Sequence, residues 1–308
     1  MPALSAPPSR TPPPPVRRTH ARRGEEGDSG LLTLAVSHLG WQAGRVRTLT
    51  VTLVQKASGL DPAENLAALD DVVAEAFSGS SPRPDLVVLP EVFMRDFGKP
   101  GSEIGAFAED LDGPFVRRLR QKAQEYDVTL VAGMFERSED PARPYNTLVV
   151  VDGGGLRATY RKIHLYDSFG YKESDRLLAG ALEPVTVDLD GIRLGLMTCY
   201  DLRFPELARA LVTAGAELLV VPAAWVAGPG KADHWTTLAR ARAIENTVYV
   251  AAAGQPGPRY TGHSMVVSPR GEVLTAAGEE EALVTAVVDG DELEAARAEN
   301  PSLLNRRL

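Results

Sequence analysis

The chain has 308 residues, 44% of them hydrophobic and 24% charged, with a formal charge of −8. That composition belongs to a globular chain with ample length for a large core. It excludes an ordinary nucleic-acid binder, which carries a basic excess, and the sequence has no run of about 18 apolar residues that could cross a membrane. The single cysteine, Cys199, excludes an intrachain disulfide framework and a multi-cysteine zinc site, and suits a reducing, cytoplasmic setting.

Residues 1–24 hold seven prolines, five arginines and no acidic residue. Such a segment has too little apolar surface to offset its ordering entropy, which predicts a disordered Pro/Arg-rich extension over residues 1–45. Its arginines suggest a transit peptide, but the run Pro12 to Pro15 disfavours the amphipathic helix one needs. From residue 46 to 308 the pattern is that of one folded domain. Leu49 to Gln55 alternates like a strand, and Pro62 to Ala76 has helical spacing with Leu66, Leu69, Val72, Val73 and Ala76 on one side. Asp85 to Pro90 reads as a buried strand, Phe115 to Glu125 as a helix, and Val128 to Phe135 as another strand. Tyr145 to Tyr160 reads as a hairpin with glycines at its turn.

The second half repeats this order. Ile192 to Thr198 answers the first strand and Pro205 to Ala214 the first helix, while Glu217 to Trp225 (ELLVVPAAW) mirrors Asp85 to Phe93 (DLVVLPEVF). Thr247 to Gly254 answers the strand from Thr129, and Gly262 to Leu274 answers the hairpin. Near-continuous apolar strands need cover on both faces. Two like halves therefore predict an α/β fold, a four-layer αββα sandwich with an internal pseudo-two-fold repeat.

Reactive side chains are few. His164, His234 and His263 form no H-E-x-x-H pair or Cys/His cluster, no G-x-S-x-G elbow exists, and the glycine runs are more simply turns. Neither a metal nor a cofactor is expected. Three strand ends carry reactive groups: Glu91 after LVVLP, Lys162 after ATYR, and Cys199 after GLMT. Ligands in α/β sheets collect beyond the carboxyl ends of strands. There a lysine could lower the thiol's pKa and a carboxylate could act as base. Singly, each has a plain reading: a buried lone cysteine packs, and a strand-end Glu or Lys is solvated.

Five strings carry a resemblance: Leu89–Phe93 (LPEVF), Tyr160–Leu165 (YRKIHL), Cys199–Glu206 (CYDLRFPE), Arg240–Asn246 (RARAIEN) and Gly262–Val267 (GHSMVV). In order and spacing they resemble the nitrilase superfamily of carbon–nitrogen hydrolases, from about Leu49 to Arg307. The cysteine string looks most like the Nit branch, which includes ω-amidase and deaminated-glutathione amidase. The resemblance implies a cofactor-free thiol amidohydrolase cleaving a small carboxylated amide through an acyl-enzyme. Cys199 would be the nucleophile, Glu91 the general base, and Lys162 the oxyanion's cation with the Tyr200 N–H; Glu173 would be a second glutamate orienting the lysine. Tyr200-Asp201 stands where true nitrilases carry Trp-Glu, which weakens nitrile hydrolysis; N-carbamoyl hydrolysis is a further alternative. A metal-dependent phosphoesterase would need ligand clusters that the sequence lacks.

Remaining residues are read as builders. Asp201, Arg203 and Glu206 suggest a salt-bridged helix start, with Arg203 also a candidate for the substrate's carboxylate. Arg240, Arg242 and Glu245 have the spacing of internal ion pairs. Trp225 is expected to line the pocket with His234 and Trp235 beneath it, and His263 and Ser264 to be hydrogen-bonded in the core. The family commonly dimerises through the helix after the cysteine and the C-terminal tail, and Pro301 to Leu308 is present, so a homodimer or higher homo-oligomer is expected. The partner is otherwise a small amide, with no nucleic acid and no membrane.

Overall fold

The computed structural model describes residues 47–79 and 82–307; the extension expected over residues 1–45 lies outside the described residues. The first half runs β1 (Thr48–Gln55), α1 (Pro62–Phe77), β2 (Leu86–Val88), α2 (Pro114–Tyr126), β3 (Thr129–Glu136), β4 (Tyr145–Asp152) and β5 (Gly155–Arg161). A short hairpin follows, β6 (Asp167–Ser168) and β7 (Tyr171–Lys172). The second half runs β8 (Thr186–Leu189), β9 (Ile192–Leu196), α3 (Pro205–Thr213), β10 (Leu218–Ala223), α4 (Lys231–Asn246), β11 (Tyr249–Gly254), β12 (Met265–Val267) and β13 (Val273–Ala276). The chain then adds β14 (Ala282–Asp289) and α5 (Gly290–Glu299).

Two six-stranded sheets result, ordered β14-β1-β2-β3-β4-β5 and β13-β12-β11-β10-β9-β8. In each, three central strands are parallel and an antiparallel hairpin extends one edge. The expected repeat is therefore present, and the other edges complete it: β14 pairs antiparallel with β1 as β8 does with β9. Those two strands and α5 were not foreseen, because half-exposed edge strands lack the continuous apolar run of the central ones.

Alternation along each strand sorts the core. Leu86 and Val88 of β2 join Val51, Leu53, Val131 and the residues of the second sheet in one cluster. Val87 and Leu89 point the other way, onto Leu69, Val73, Phe115 and Leu119 of the two helices. Each fully buried aliphatic side chain contributes roughly 1.5–3 kcal/mol, which is why strands apolar on both faces stay between layers. Among the described residues no helix is long and apolar enough to cross a membrane.

The turn after β2 depends on one glycine. A Cβ at Gly133 would lie 2.3 Å from the Val92 nitrogen and 2.9 Å from the Glu91 Cα. The Glu91–Arg95 turn thus lies directly on β3, with Val92 at φ 47° and the Met94 N–H donating to the Gly133 carbonyl at 3.2 Å. Neighbouring backbone cannot yield as a flexible side chain can. Gly133→Ala should cost about 1–3 kcal/mol by overpacking, lowering Tm by roughly 2–4 °C per kcal/mol for a domain of this size. Thermal melts followed by circular dichroism check this; an unchanged Tm would mean that the turn is not seated on the strand.

Candidate active site

The carboxyl ends of the parallel strands from both sheets meet, and Glu91 stands where they do. Its side chain is 1% exposed. Oε1 accepts from Asn146 Nδ2 at 2.7 Å and from Lys162 Nζ at 3.0 Å, while Oε2 accepts the Ala224 N–H at 2.7 Å from the turn after β10. The Glu91 carbonyl accepts Gln255 Nε2 at 3.0 Å, so the second half of the repeat holds both backbone and side chain.

Lys162 follows β5 and is equally enclosed. Its ammonium reaches the Glu173 oxygens at 3.0 and 2.9 Å as well as Glu91. Burial alone would lower its pKa, but Glu173 and then Glu91 outweigh burial and hold it well above the usual lysine range. Burial pushes Glu173 up, with Lys162 opposing. The Tyr166 N–H donates to Glu173 Oε2 at 2.5 Å. These contacts offset a desolvation cost that unpaired charges would not survive.

Cys199 opens a 3₁₀ turn, Cys199–Arg203, after β9 and has φ 47°, a left-handed conformation unusual for a residue with a side chain. Burial pushes its thiol well above the ordinary value, the Glu91 carboxylate adds to that, and Lys162 opposes it. The resting thiol is therefore protonated at neutral pH, beside a carboxylate that can accept its proton.

Asp201 does something the sequence reading did not assign. Instead of pairing with Arg203, it is fully buried and accepts four bonds. Oδ2 takes the Thr198 N–H at 2.8 Å and the Tyr160 hydroxyl at 2.6 Å; Oδ1 takes the His164 N–H at 3.1 Å and faces His164 Nδ1 at 2.7 Å. It thereby ties the cysteine turn to the segment carrying Lys162.

A cavity of about 490 Å³ opens over these groups, with Glu91, Lys162, Glu173 and Cys199 in its wall beside Tyr200 and Trp225. The structure thus brings together every sequence-predicted site residue except Arg203. That guanidinium lies outside the pocket lining, 4.9 Å over the Trp225 ring and 3.2 Å from His234 Nδ1. Trp235 is buried against Trp225 at 5.4 Å, as expected, but His234 is exposed because its helix position faces outward. Arg242 pairs with Glu245 at 2.8 Å, whereas Arg240 donates to the Gly271 carbonyl. Ser264 is hydrogen-bonded in the core; His263 is half-buried.

Asn146, Gln255 and the Ala224 N–H were missed. Asn146 carried a signal, since an amide inside an apolar strand needs a buried partner. The Ala224 N–H carried none, being backbone. Among the described residues no group of three or more His, Cys, Asp or Glu side chains could hold a metal ion. A thiol beside a carboxylate is an arrangement that can support nucleophilic attack with proton transfer.

The clamp at Asp201 can be tested directly. Asp201→Ala strands the Tyr160 hydroxyl and two backbone N–H groups in a dry interior, at about 1–3 kcal/mol for each unsatisfied group. A urea unfolding midpoint well below wild type is expected; an unshifted midpoint would show that water replaces the carboxylate freely.

Comparison with known proteins agrees with this geometry. The carbon–nitrogen hydrolase family model matches residues 50–298. A hydrolase of Mycobacterium tuberculosis is 43% identical over 266 residues, covering 81% of this chain and 92% of that one. A deaminated glutathione amidase of Escherichia coli O157:H7 is 42% identical over 222 residues, 72% of this chain and 84% of that one. Among solved structures, Nit3 of Saccharomyces cerevisiae, a member of branch 10 of the nitrilase superfamily, superposes with a TM-score of 0.74 at 30% identity, covering 85% of this chain and 97% of that one. With its sheets and its sequence in agreement, the chain belongs to the carbon–nitrogen hydrolase family of the nitrilase superfamily and is a hydrolase of carbon–nitrogen bonds other than peptide bonds.

Proposed function

We propose that Cys199 is the nucleophile of an amidohydrolase acting on a small amide with a carboxylate at its far end, of the ω-amide or deaminated-glutathione type. The observation that carries this reading is the convergence of Glu91, Lys162, Glu173 and Cys199 on one cavity. The Escherichia coli relative's name supports the substrate class.

The steps follow from the contacts. Cys199 Sγ attacks the amide carbon as Glu91 takes the thiol proton. Negative charge gathers on the carbonyl oxygen, where the Lys162 ammonium and the Tyr200 N–H at the start of the 3₁₀ turn stabilise it. Collapse expels the amine, which receives the proton from Glu91. Water then attacks the thioester, again giving its proton to Glu91, and the acid leaves as the thiol reforms. Glu173 positions Lys162 throughout. The same reading carries a cytoplasmic setting, which suits a lone free thiol, and a homodimer, which sedimentation velocity would test.

Cys199→Ala should abolish ammonia release from such amides without lowering Tm, and residual turnover in the purified variant would end the thiol mechanism. Glu91→Gln and Lys162→Met should each lower kcat by at least about 10²–10³-fold; near wild-type kcat in either would show its role misassigned.

The pH profile follows from the raised thiol. Attack uses one proton shared between Glu91 and Cys199, and loss of that proton deprives the leaving amine of its acid. Because the folded thiol holds its proton well above the ordinary value of 9.0, kcat/KM should stay level through neutral pH and fall only above pH 9.0. A fall near pH 8 would place the thiol in a polar, low-pKa setting and contradict the burial described.

A further inference from the structure

On the reading of the site as a cysteine amidohydrolase, we propose that Lys231 determines specificity, binding the substrate's carboxylate together with the Tyr166 hydroxyl. Three pocket-lining residues carry positive charge: Lys162, Arg259 and Lys231. Lys162 is taken up by two carboxylates, and Arg259 by an ion pair with Asp96 and a bond to the Gly98 carbonyl. Lys231 forms no ion pair among the described residues. Its Nζ donates to the Tyr166 hydroxyl at 3.0 Å and lies 3.8 Å over the ring of Phe169, which is itself 72% exposed.

This local geometry suits one kind of anion. Because the lysine donates to the phenol oxygen, the tyrosine's own proton remains to be given, and the ammonium keeps two further N–H bonds. Adjacent O–H and N–H donors match the two oxygens of a carboxylate. A dianion such as a phosphate ester fits poorly, since Glu91 and Glu173 share the cavity and repel the second charge. The lysine's backbone is fixed by Trp225 Nε1, which donates to its carbonyl at 3.0 Å. Tyr166 links the two ends of the pocket: its N–H holds Glu173, its ring meets Tyr200 edge-on at 5.0 Å, and its hydroxyl meets Lys231. The aromatic wall between suits a short methylene chain.

The test compares acids with neutral isosteres in two arms. Glutaramate against valeramide places the carboxylate on the acyl side; N-butyrylglycine against N-ethylbutyramide places it on the amine side. Lys231→Met should lower the acid-to-neutral ratio of kcat/KM about 10- to 100-fold in one arm, mainly through KM, and that arm identifies the side. Lys231→Arg should restore most of the ratio, and Tyr166→Phe should lower it less. A ratio unchanged by Lys231→Met in both arms overturns the proposal. Calorimetric binding of glutaramate and of N-butyrylglycine to the Cys199→Ala protein reads the anchor without turnover. Binding of either acid at least about 10-fold weaker after adding Lys231→Met supports it, and equal binding of both overturns it. If wild type releases neither ammonia nor amine while that difference in binding holds, the amidohydrolase reading falls and the anchor stands.

Discussion

A lysine ammonium enclosed between two carboxylates, all three nearly inaccessible to water, sets the terms for the rest of this structure. Lys162 lies between Glu91 and Glu173 in a region where each of the three groups has lost its hydration. Such a group is tolerable only if every oxygen and every N–H is met at short range. That requirement recruits groups from across the fold: Asn146 from β4, the Ala224 N–H after β10 and the Tyr166 N–H before the short hairpin. The two halves of the repeat are thus held together at their strand ends by polar contacts as well as by the apolar layer between the sheets.

The same requirement explains where the backbone departs from ordinary conformations. Val92 and Cys199, at φ 47° in each case, sit in the turns that bring the carboxylate and the thiol to the shared cavity. Gly133 removes the side chain that would push the first turn off its strand. Asp201 secures the second by capturing both the Thr198 N–H and the Lys162 segment. Left-handed residues with side chains persist only where their surroundings over-determine them, and here the surrounding bonds do so. In the proposed reaction this preorganisation means that charge develops into contacts already in place, with little reorganisation.

The cavity gathers charges of both signs. Lys162, Glu91, Glu173 and Cys199 line it together with the aromatic rings of Tyr166, Phe169, Tyr200 and Trp225, and with Lys231 and the Asp96-bound Arg259. On the proposed reading, an amide bound there meets proton transfer at its carbonyl and a cation at its far end. Arg203, close in sequence to the cysteine, instead lies over the Trp225 ring and is not among the residues lining the cavity.

Much was legible in the amino-acid sequence by itself. Apolar runs long enough only for strands, helical spacing between them and the repeat of DLVVLPEVF as ELLVVPAAW determine two like sheets, because buried parallel strands must be covered on both faces. The reactive groups at the ends of LVVLP, ATYR and GLMT were equally visible, since strand ends are where an α/β sheet exposes side chains to a common cavity. What only the tertiary structure decided is which groups touch. Half-exposed β8 and β14 have weak patterns, Ala224 contributes a backbone N–H that no side chain announces, and Asp201 turns from part of a salt-bridged helix start into a buried clamp. Each depends on residues distant in the chain meeting at a few ångströms, and that proximity is fixed by the packing of one sheet on the other, not by local spacing.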